Sequence, residues 1–556
     1  MTVAARGRNV VAWQRRTGPT AATAGAFMGM CEILAAFRLA VVALLVAVAG
    51  GNPVDAEELP PPQVAGVPIP DGQIERAIGQ LDALAPAILE RSGIPGLAVA
   101  VVRDGQTVYA KGFGLRKIGE RQPVDADTVF QIASLSKSIG ATVVAHQVGA
   151  GVVKWDTPLV TYLPWFELND PWITKHVTIG DMYAHRSGLP DHAGDDLEDL
   201  GYDRRQILQR LRFAPLRAFR DQYAYTNFGL TAAAEAVAVA SARDWATLSE
   251  EVLYRPLGMS ATSSRYADYA ARDNRAVLHV RTAGGFEPKY QRRPDAQSPA
   301  GGVSSNVRDL ARWMAMVLDG GTYQGHEIVA GDALLPAVTP RIVSSRAYAA
   351  DARASFYGYG FGVSVQPSGR VALSHSGAFA LGAGTNYVLI PSAHVGIVIL
   401  TNASPGGAAE ALGMQFSDLV QFGKVTRDWF AAYAALLAPI SAPFGARVGK
   451  PAPADPAPAL DLAVYAGTYA NDYYGDAVII RQRDGLMLKI GPAQAELAFT
   501  HLDGNVFAFA PRGENASEGS ISTATFTTDP SGKVTALTIE LFDQAGIGTF
   551  KRTGSN

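Results

Sequence analysis

Three short stretches of this 556-residue chain carry side chains suited to nucleophilic chemistry at a carbonyl. The first is Phe130-Gln-Ile-Ala-Ser134-Leu-Ser-Lys137. Spaced three apart, the serine and the lysine share one face of a helix. At a helix start the serine also gains the positive end of the dipole and unpaired backbone N–H groups able to face a developing oxyanion. A serine hydroxyl is a weak nucleophile until a neighbour takes its proton, and a lysine amine can do so once burial or a nearby cation lowers its pKa. Ser-x-x-Lys alone carries little weight. Roughly one match arises by chance in a chain of this length, and two polar residues on a surface helix would look the same.

The second stretch is Tyr223-Ala-Tyr225-Thr-Asn227-Phe-Gly229. If it is extended, Tyr225 and Asn227 point the same way into a cleft. A phenol beside a cationic lysine ionises more easily and can shuttle protons. Asn227 can bond both the lysine and a substrate carbonyl. An aromatic turn before a helix would read identically. The third stretch is Leu373-Ser-His375-Ser376-Gly377-Ala378. An edge strand here could offer a backbone N–H to the oxyanion, with Gly377 permitting close approach. His375 could bind a substrate carboxylate or orient a proton, or simply be packed in the core.

In this order and at these separations, the three stretches resemble the motifs of the serine β-lactamase and penicillin-binding-protein superfamily. The likeness is to the branch that holds class C β-lactamases, D-aminopeptidases, D-Ala-D-Ala carboxypeptidases and carboxylesterases. Further segments extend it: Thr178-Ile-Gly-Asp-Met-Tyr-Ala-His185-Arg-Ser-Gly-Leu-Pro190, Tyr254-Arg-Pro-Leu-Gly-Met259, and Pro299-Ala-Gly-Gly-Val-Ser-Ser305 followed by Asp309-Leu-Ala. The resemblance runs from about residue 74 to 430. It implies Ser134 as nucleophile, Lys137 as its base partner and Tyr225 as the second proton carrier. Asn227, His375 and Gly377 support the substrate, and the oxyanion sits on the N–H groups of Ser134 and Ala378. No cofactor and no metal is implied. The family's β-lactamases usually carry lysine where this chain has His375, which shifts the expectation from antibiotic hydrolysis toward a peptidase or amidase acting on short or D-amino-acid-containing peptides. A carboxylesterase is the nearest alternative, then a β-lactamase. A catalytically silent receptor on the same scaffold is the reading from a different class.

The elements that must position these residues follow from local patterning. Apolar positions recur at helical spacing through Ile74, Ile78, Leu81, Leu84 and Ile88. The run 96–102, a turn at Asp104-Gly105 and the run 107–112 read as a hairpin. A helix is expected from about Ser134 to Ala150, strands at 386–390 and 395–402, and a helical stretch over 409–437. Strands at both ends with helices between predict an α+β fold, in which an antiparallel sheet built from both ends of the region is flanked by helices. The resemblance adds an all-helical subdomain. Pro439, Pro443, Pro451, Pro453, Pro456 and Pro458 mark a stiff linker. Beyond it, short strand candidates at 465–469, 477–481, 486–490, 506–510, 524–528 and 536–542 predict a small β-barrel. This part resembles the lipocalin-like domain of some superfamily members. Its aromatics, Tyr465, Tyr469, Tyr473, Tyr474, Phe507 and Phe509, would either form a core or line a cavity. The expected division is 1–56 as signal and extension, 57–72 as leader loop, 73–437 as hydrolase, 438–460 as linker and 461–556 as barrel.

Arg38, the apolar run 39–49 and the exit Val54-Asp55-Ala56 have the layout of a secretory signal, so a periplasmic or secreted location is expected. The run is short for a bilayer span, and an uncleaved anchor is the alternative. The single cysteine, Cys31, would leave with the signal, which excludes thiol catalysis in the mature chain. A formal charge of −3 offers no basic surface for nucleic acid, and the expected partner is a small molecule or short peptide. Two local patterns are set aside. Glu167-Leu-Asn169 reads as a loop. His185, Asp191, His192, Asp195 and Asp196 match no zinc or calcium spacing and read as a polar loop.

Overall fold

A computed structural model describes residues 64, 66–483 and 485–554; the expected signal and half of the leader loop lie outside them. The hydrolase part is built on an eight-stranded antiparallel sheet. In chain order its strands are β1 (Gly96–Arg103), β2 (Gln106–Gly114), β3 (Ile342–Ser345), β4 (Ser355–Tyr357), β5 (Gly362–Val365), β6 (Val371–Phe379), β7 (Ala383–Ile390) and β8 (Val395–Thr401). They lie in the order β2-β1-β8-β7-β6-β5-β4-β3. The first hairpin therefore pairs with the last strand, Leu97 opposite Thr401 and Arg103 opposite Val395, closing the sheet from both ends of the region as expected.

Helices cover both faces of the sheet. Leu97, Val99 and Val101 of β1 and Ile397 and Ile399 of β8 face α1 (Gln73–Gly79), α2 (Leu81–Ser92) and α6 (Ala408–Phe422). The alternate residues Ala98, Ala100, Val102, Val398 and Leu400 face α3 (Leu135–Gly149) and α5 (Val307–Leu318). A strand buried on both sides cannot alternate polar with apolar, which is why β1 reads as an unbroken apolar run. Leu412 and Phe416, both fully buried on α6, each contribute about 1.5–3 kcal/mol. The expected helix at 409–437 is in fact two, α6 and α7 (Trp429–Ser441). Gly423, in the left-handed conformation at φ 70°, ends the first.

Between β2 and β3 lie mostly short helices, with α4 (Asn227–Ala240) at their centre. Its residues Phe228, Leu230, Ala233 and Val237 are buried.

The C-terminal part is a closed eight-stranded barrel: β9 (Gly467–Asn471), β10 (Gly475–Gln482), β11 (Gly485–Ile490), β12 (Ala495–Asp503), β13 (Val506–Phe509), β14 (Ser522–Thr528), β15 (Val534–Ile539) and β16 (Thr549–Thr553). Pairing of Thr468 with Thr553 and Ala470 with Lys551 closes it and leaves no edge. The aromatics are core. Tyr465, Phe507 and Phe526 pack with ring centroids 4.7–5.6 Å apart, and Phe499, Tyr469, Tyr474, Phe542 and Phe550 are buried. The barrel packs on the segment 190–202: Gly194 N donates to Tyr473 Oη at 2.7 Å, and Tyr202 Oη to the Tyr474 carbonyl at 2.8 Å. Among the described residues no helix is long and apolar enough to cross a membrane.

Candidate active site

The nucleophile candidate stands at a strained entry to α3. Ala133 holds φ at 47°, a left-handed conformation costly for a residue with a Cβ, and Ser134 then stands at the N-cap position with its hydroxyl free of the helix backbone. The turn is fixed by Ser136, whose hydroxyl donates to the Ala133 carbonyl at 2.6 Å and accepts from Val303 N at 3.0 Å. The Pro299–Ser305 segment is thereby tied at Val303 to the helix start.

Lys137, one turn along, has no solvent-exposed surface. Its Nζ lies 3.0 Å from Ser134 Oγ, 2.7 Å from Asn227 Oδ1 and 2.9 Å from the Ala300 carbonyl. Burial lowers its pKa to about 7, against the pull of the Asp195 charge. Near neutrality a large share of the amine is therefore unprotonated and can accept the Ser134 proton.

Tyr225 donates to Ser134 Oγ at 2.6 Å, and its ring centre lies 4.5 Å from Lys137 Nζ. The local structure differs from the extended strand expected. Tyr225 lies in a loop, and Asn227 is the first residue of α4. Both side chains still reach the same cleft, because the loop is pinned: Tyr225 N donates to Asp191 Oδ1 at 2.8 Å, the Tyr225 carbonyl accepts from His192 N at 2.7 Å, and Thr226 N donates to His185 Nδ1 at 3.1 Å. The electrostatics also depart from expectation. Burial pushes the phenol pKa upward, outweighing its bond to Ser134. Tyr225 is a neutral donor in the resting site, and the low-pKa partner is the lysine.

Asn227 presents its oxygen to Lys137 and its amide nitrogen to Asp195 Oδ2 at 2.8 Å. The same carboxylate oxygen accepts from His192 Nδ1 at 2.8 Å. Asp191, His192 and Asp195 thus belong to the site as its supports, which the polar-loop reading of this segment missed. The available signal was position: they follow directly on the Ser187-Gly-Leu-Pro190 segment. His185 packs against Tyr225 with the rings tilted by 40° and their centroids 4.6 Å apart, and burial keeps its pKa well below the ordinary histidine value. Glu167 pairs with Arg212 at 3.3 Å as part of an exposed loop.

β6 completes the constellation. Its pairing with β5 ends at Ser374 opposite Gly362, so His375–Phe379 bonds only to β7 and has a free edge. That edge runs against Ser134. A Cβ placed on Gly377 would lie 3.0 Å from Ser134 N and 2.5 Å from the Ile132 carbonyl, so only glycine fits. His375 lines the cavity over these groups but is largely buried and bonded internally rather than offered as a cation. Its Nδ1 bonds the Ser376 carbonyl and its Nε2 accepts from Tyr357 Oη, each at 2.7 Å. Burial, helped by the Lys137 charge, brings its pKa down to about 3.

A cavity of about 980 Å³ opens over these groups. Ser134, Tyr225, Asn227 and Ala378 lie on its hydrolase side, and Tyr473 and Glu514 of the barrel part also line it.

Comparison with known proteins shows the family to which the chain belongs. Residues 77–417 match the family model described as Beta-lactamase, and residues 451–548 match one described as a domain of unknown function, DUF3471. The chain is 26% identical to "Unguisins hydrolase ungD" of Aspergillus violaceofuscus, over 87% of this chain and 90% of that one. It is 26% identical to "D-alanyl-D-alanine-carboxypeptidase/endopeptidase AmpH" of Escherichia coli, over 61% of this chain and 88% of that one. The fold is similar to that of an octameric penicillin-binding protein homologue from Pyrococcus abyssi, with a TM-score of 0.54 and 19% identity over 83% of this chain and 98% of that one. The chain therefore belongs to the β-lactamase family, whose members include serine hydrolases such as peptidases and β-lactamases.

Proposed function

We propose that this protein is a serine peptidase or amidase that cleaves short or D-amino-acid-containing peptides through an acyl-enzyme on Ser134. One observation carries the reading: Ser134 Oγ lies within hydrogen-bonding reach of both Lys137 Nζ and Tyr225 Oη, at 3.0 and 2.6 Å, on the wall of an open cavity.

The chemistry follows from the charge states. Unprotonated Lys137 takes the Ser134 proton as Oγ attacks the substrate carbonyl carbon. The carbonyl oxygen becomes an oxyanion facing the N–H groups of Ser134 and Ala378. Tyr225 gives its proton to the departing amine nitrogen and is reprotonated from Lys137. The C–N bond breaks and the acyl group stays on Oγ. Water then enters, loses a proton to the Tyr225–Lys137 pair and attacks the ester carbonyl, releasing the acid and restoring Ser134.

Two features favour peptides over lactam antibiotics. His375 is neutral and internally bonded, so it offers no permanent cation to a substrate carboxylate. Relatives in the family include the D-alanyl-D-alanine-carboxypeptidase/endopeptidase above and a D-aminopeptidase of Brucella anthropi. Export by the segment 1–56 would bring the enzyme to wall-derived or extracellular peptides.

The test is turnover of short-chain nitrophenyl esters, D- and L-aminoacyl amides, short peptides and nitrocefin by the purified protein, with product masses read directly. Amide cleavage supports the proposal. Efficient ester cleavage with no amide cleavage assigns a carboxylesterase instead, and rapid nitrocefin turnover a β-lactamase.

A further inference from the structure

The loop 510–521 between β13 and β14 leaves the barrel and reaches the hydrolase part. Its Glu514 lies half-buried against the turn that joins β6 to β7. Glu514 Oε1 accepts from Ala380 N at 2.5 Å, and Oε2 from Leu381 N at 3.3 Å. Arg292 Nε stands 3.7 Å from Oε2, an ion pair too long for a hydrogen bond, while the same guanidinium pairs with Glu198; burial raises the Glu514 pKa to about 8 against the pull of that Arg292 charge. The loop backbone is held in turn by Asp199, which accepts from Glu514 N at 3.2 Å and Asn515 N at 3.0 Å.

The turn so gripped is short. Gly382 N closes it onto the Phe379 carbonyl at 2.9 Å, and Ser404 Oγ donates to the Ala380 carbonyl at 2.7 Å. Ala378 lies two residues before Ala380, on the stretch of β6 that has lost its β5 neighbour. One side of that strand is therefore unsupported by sheet, beside the nucleophile. An N–H aimed at an oxyanion is effective only when fixed before the charge develops, and a free strand end is poorly suited to that. The two turn N–H groups would also be unpaired without Glu514, since no other acceptor is seen for them among the described residues.

We propose that Glu514, supplied by the C-terminal barrel, is a positioning residue for the oxyanion strand: by clamping the N–H groups of Ala380 and Leu381 it fixes the Ala378 N–H over Ser134. The barrel is on this account part of the catalytic apparatus. The proposal rests on the reading of Ala378 as an oxyanion donor given above.

The test uses the full chain, with the best substrate from the panel, and compares Glu514→Ala, Glu514→Gln and Glu518→Ala. Glu518 sits on the same loop and ties it to Lys289 and Tyr290 Oη at 2.8 and 2.9 Å, so its variant loosens the loop without touching the turn. The expected result for Glu514→Ala is a fall in kcat of roughly tenfold or more, in the range of a weakened oxyanion donor, with KM within about twofold. Affinity for phenylboronic acid, which takes up the tetrahedral geometry on Ser134, falls in parallel. Glu514→Gln keeps one acceptor and recovers part of the loss, and Glu518→Ala behaves as the unaltered protein. A folded Glu514→Ala with unchanged kcat overturns the proposal, and so does a rise in KM alone, which would make Glu514 a substrate contact. If Glu514→Ala does not fold, Glu514→Gln decides, and unchanged kcat there overturns it. Retained turnover in Ser134→Ala would instead overturn the underlying assignment of the nucleophile.

Discussion

Asn227 faces Lys137 with its oxygen because Asp195 holds its amide nitrogen, 2.8 Å away. The asparagine has two ends of opposite polarity, and the carboxylate behind it accepts only from the nitrogen end. Asp195 also adds a negative charge that opposes the fall in the Lys137 pKa. Removing that charge should let the lysine pKa drop further. Asp195→Asn is expected to move the acid limb of the kcat/KM profile to lower pH, while plateau kcat falls by roughly tenfold as Asn227 loses its orientation. A pH–rate profile of the variant beside the parent checks both.

The Lys137 pKa of about 7 sets the sign of the pH dependence. The proposed mechanism needs the free amine, so kcat/KM should rise with pH through neutrality and level off above it. Lys137→Ala should lose about 10²–10⁴-fold, the span of a removed general base, and Tyr225→Phe a loss of the same order. Stopped-flow or steady-state rates between pH 5 and 9 supply the measurement.

Gly377 is where the strand meets the helix that starts at Ser134. A methyl group there would press on the Ile132 carbonyl and Ser134 N. Gly377→Ala is expected to cost about 1–3 kcal/mol of stability, as overpacking does, and to lower kcat more than KM rises, because the displaced strand carries Ala378. Thermal melts and kcat and KM on one substrate test this.

His375 is buried in its neutral form, with its pKa brought down from an ordinary 6.5 to about 3. Below pH 6.5 the unfolded chain binds this proton and the folded chain does not, so stability is full above that pH and is lost as pH falls toward 3. The single group accounts for about 4–5 kcal/mol over that window. His375→Gln, which cannot take up the proton, should flatten the acid side of the stability–pH curve measured by denaturant unfolding.

Much of this was legible in the chain itself, for identifiable reasons. Ser134 and Lys137 are one helical turn apart, so their meeting follows from local geometry. The apolar runs of β1, β7 and β8 announce strands buried on both faces. Tyr225 meets Ser134 across 91 residues, and no local pattern dictates that; it was the ordered set of motifs that pointed to it. Asp195 escaped because an acidic stretch reads as solvated surface, whereas here the barrel covers it. Of the barrel strands, β12 and β16 gave no signal: Ala495–Asp503 breaks its alternation at Leu497-Ala498-Phe499 and Thr549–Thr553 has one apolar residue, Phe550. They are strands because neighbours on both sides bond their backbones. The lowered Lys137 pKa and the raised Tyr225 pKa reflect burial, which the sequence does not quantify.

The central claim is a covalent bond to Ser134 Oγ. Intact-protein mass spectrometry after incubation with a fluorophosphonate, followed by peptide mapping, tests it most directly. The account predicts a single adduct on the peptide containing Ser134, absent in Ser134→Ala, which also loses turnover. An adduct on another residue, or a Ser134→Ala variant that still turns over substrate at the parent rate, would contradict it.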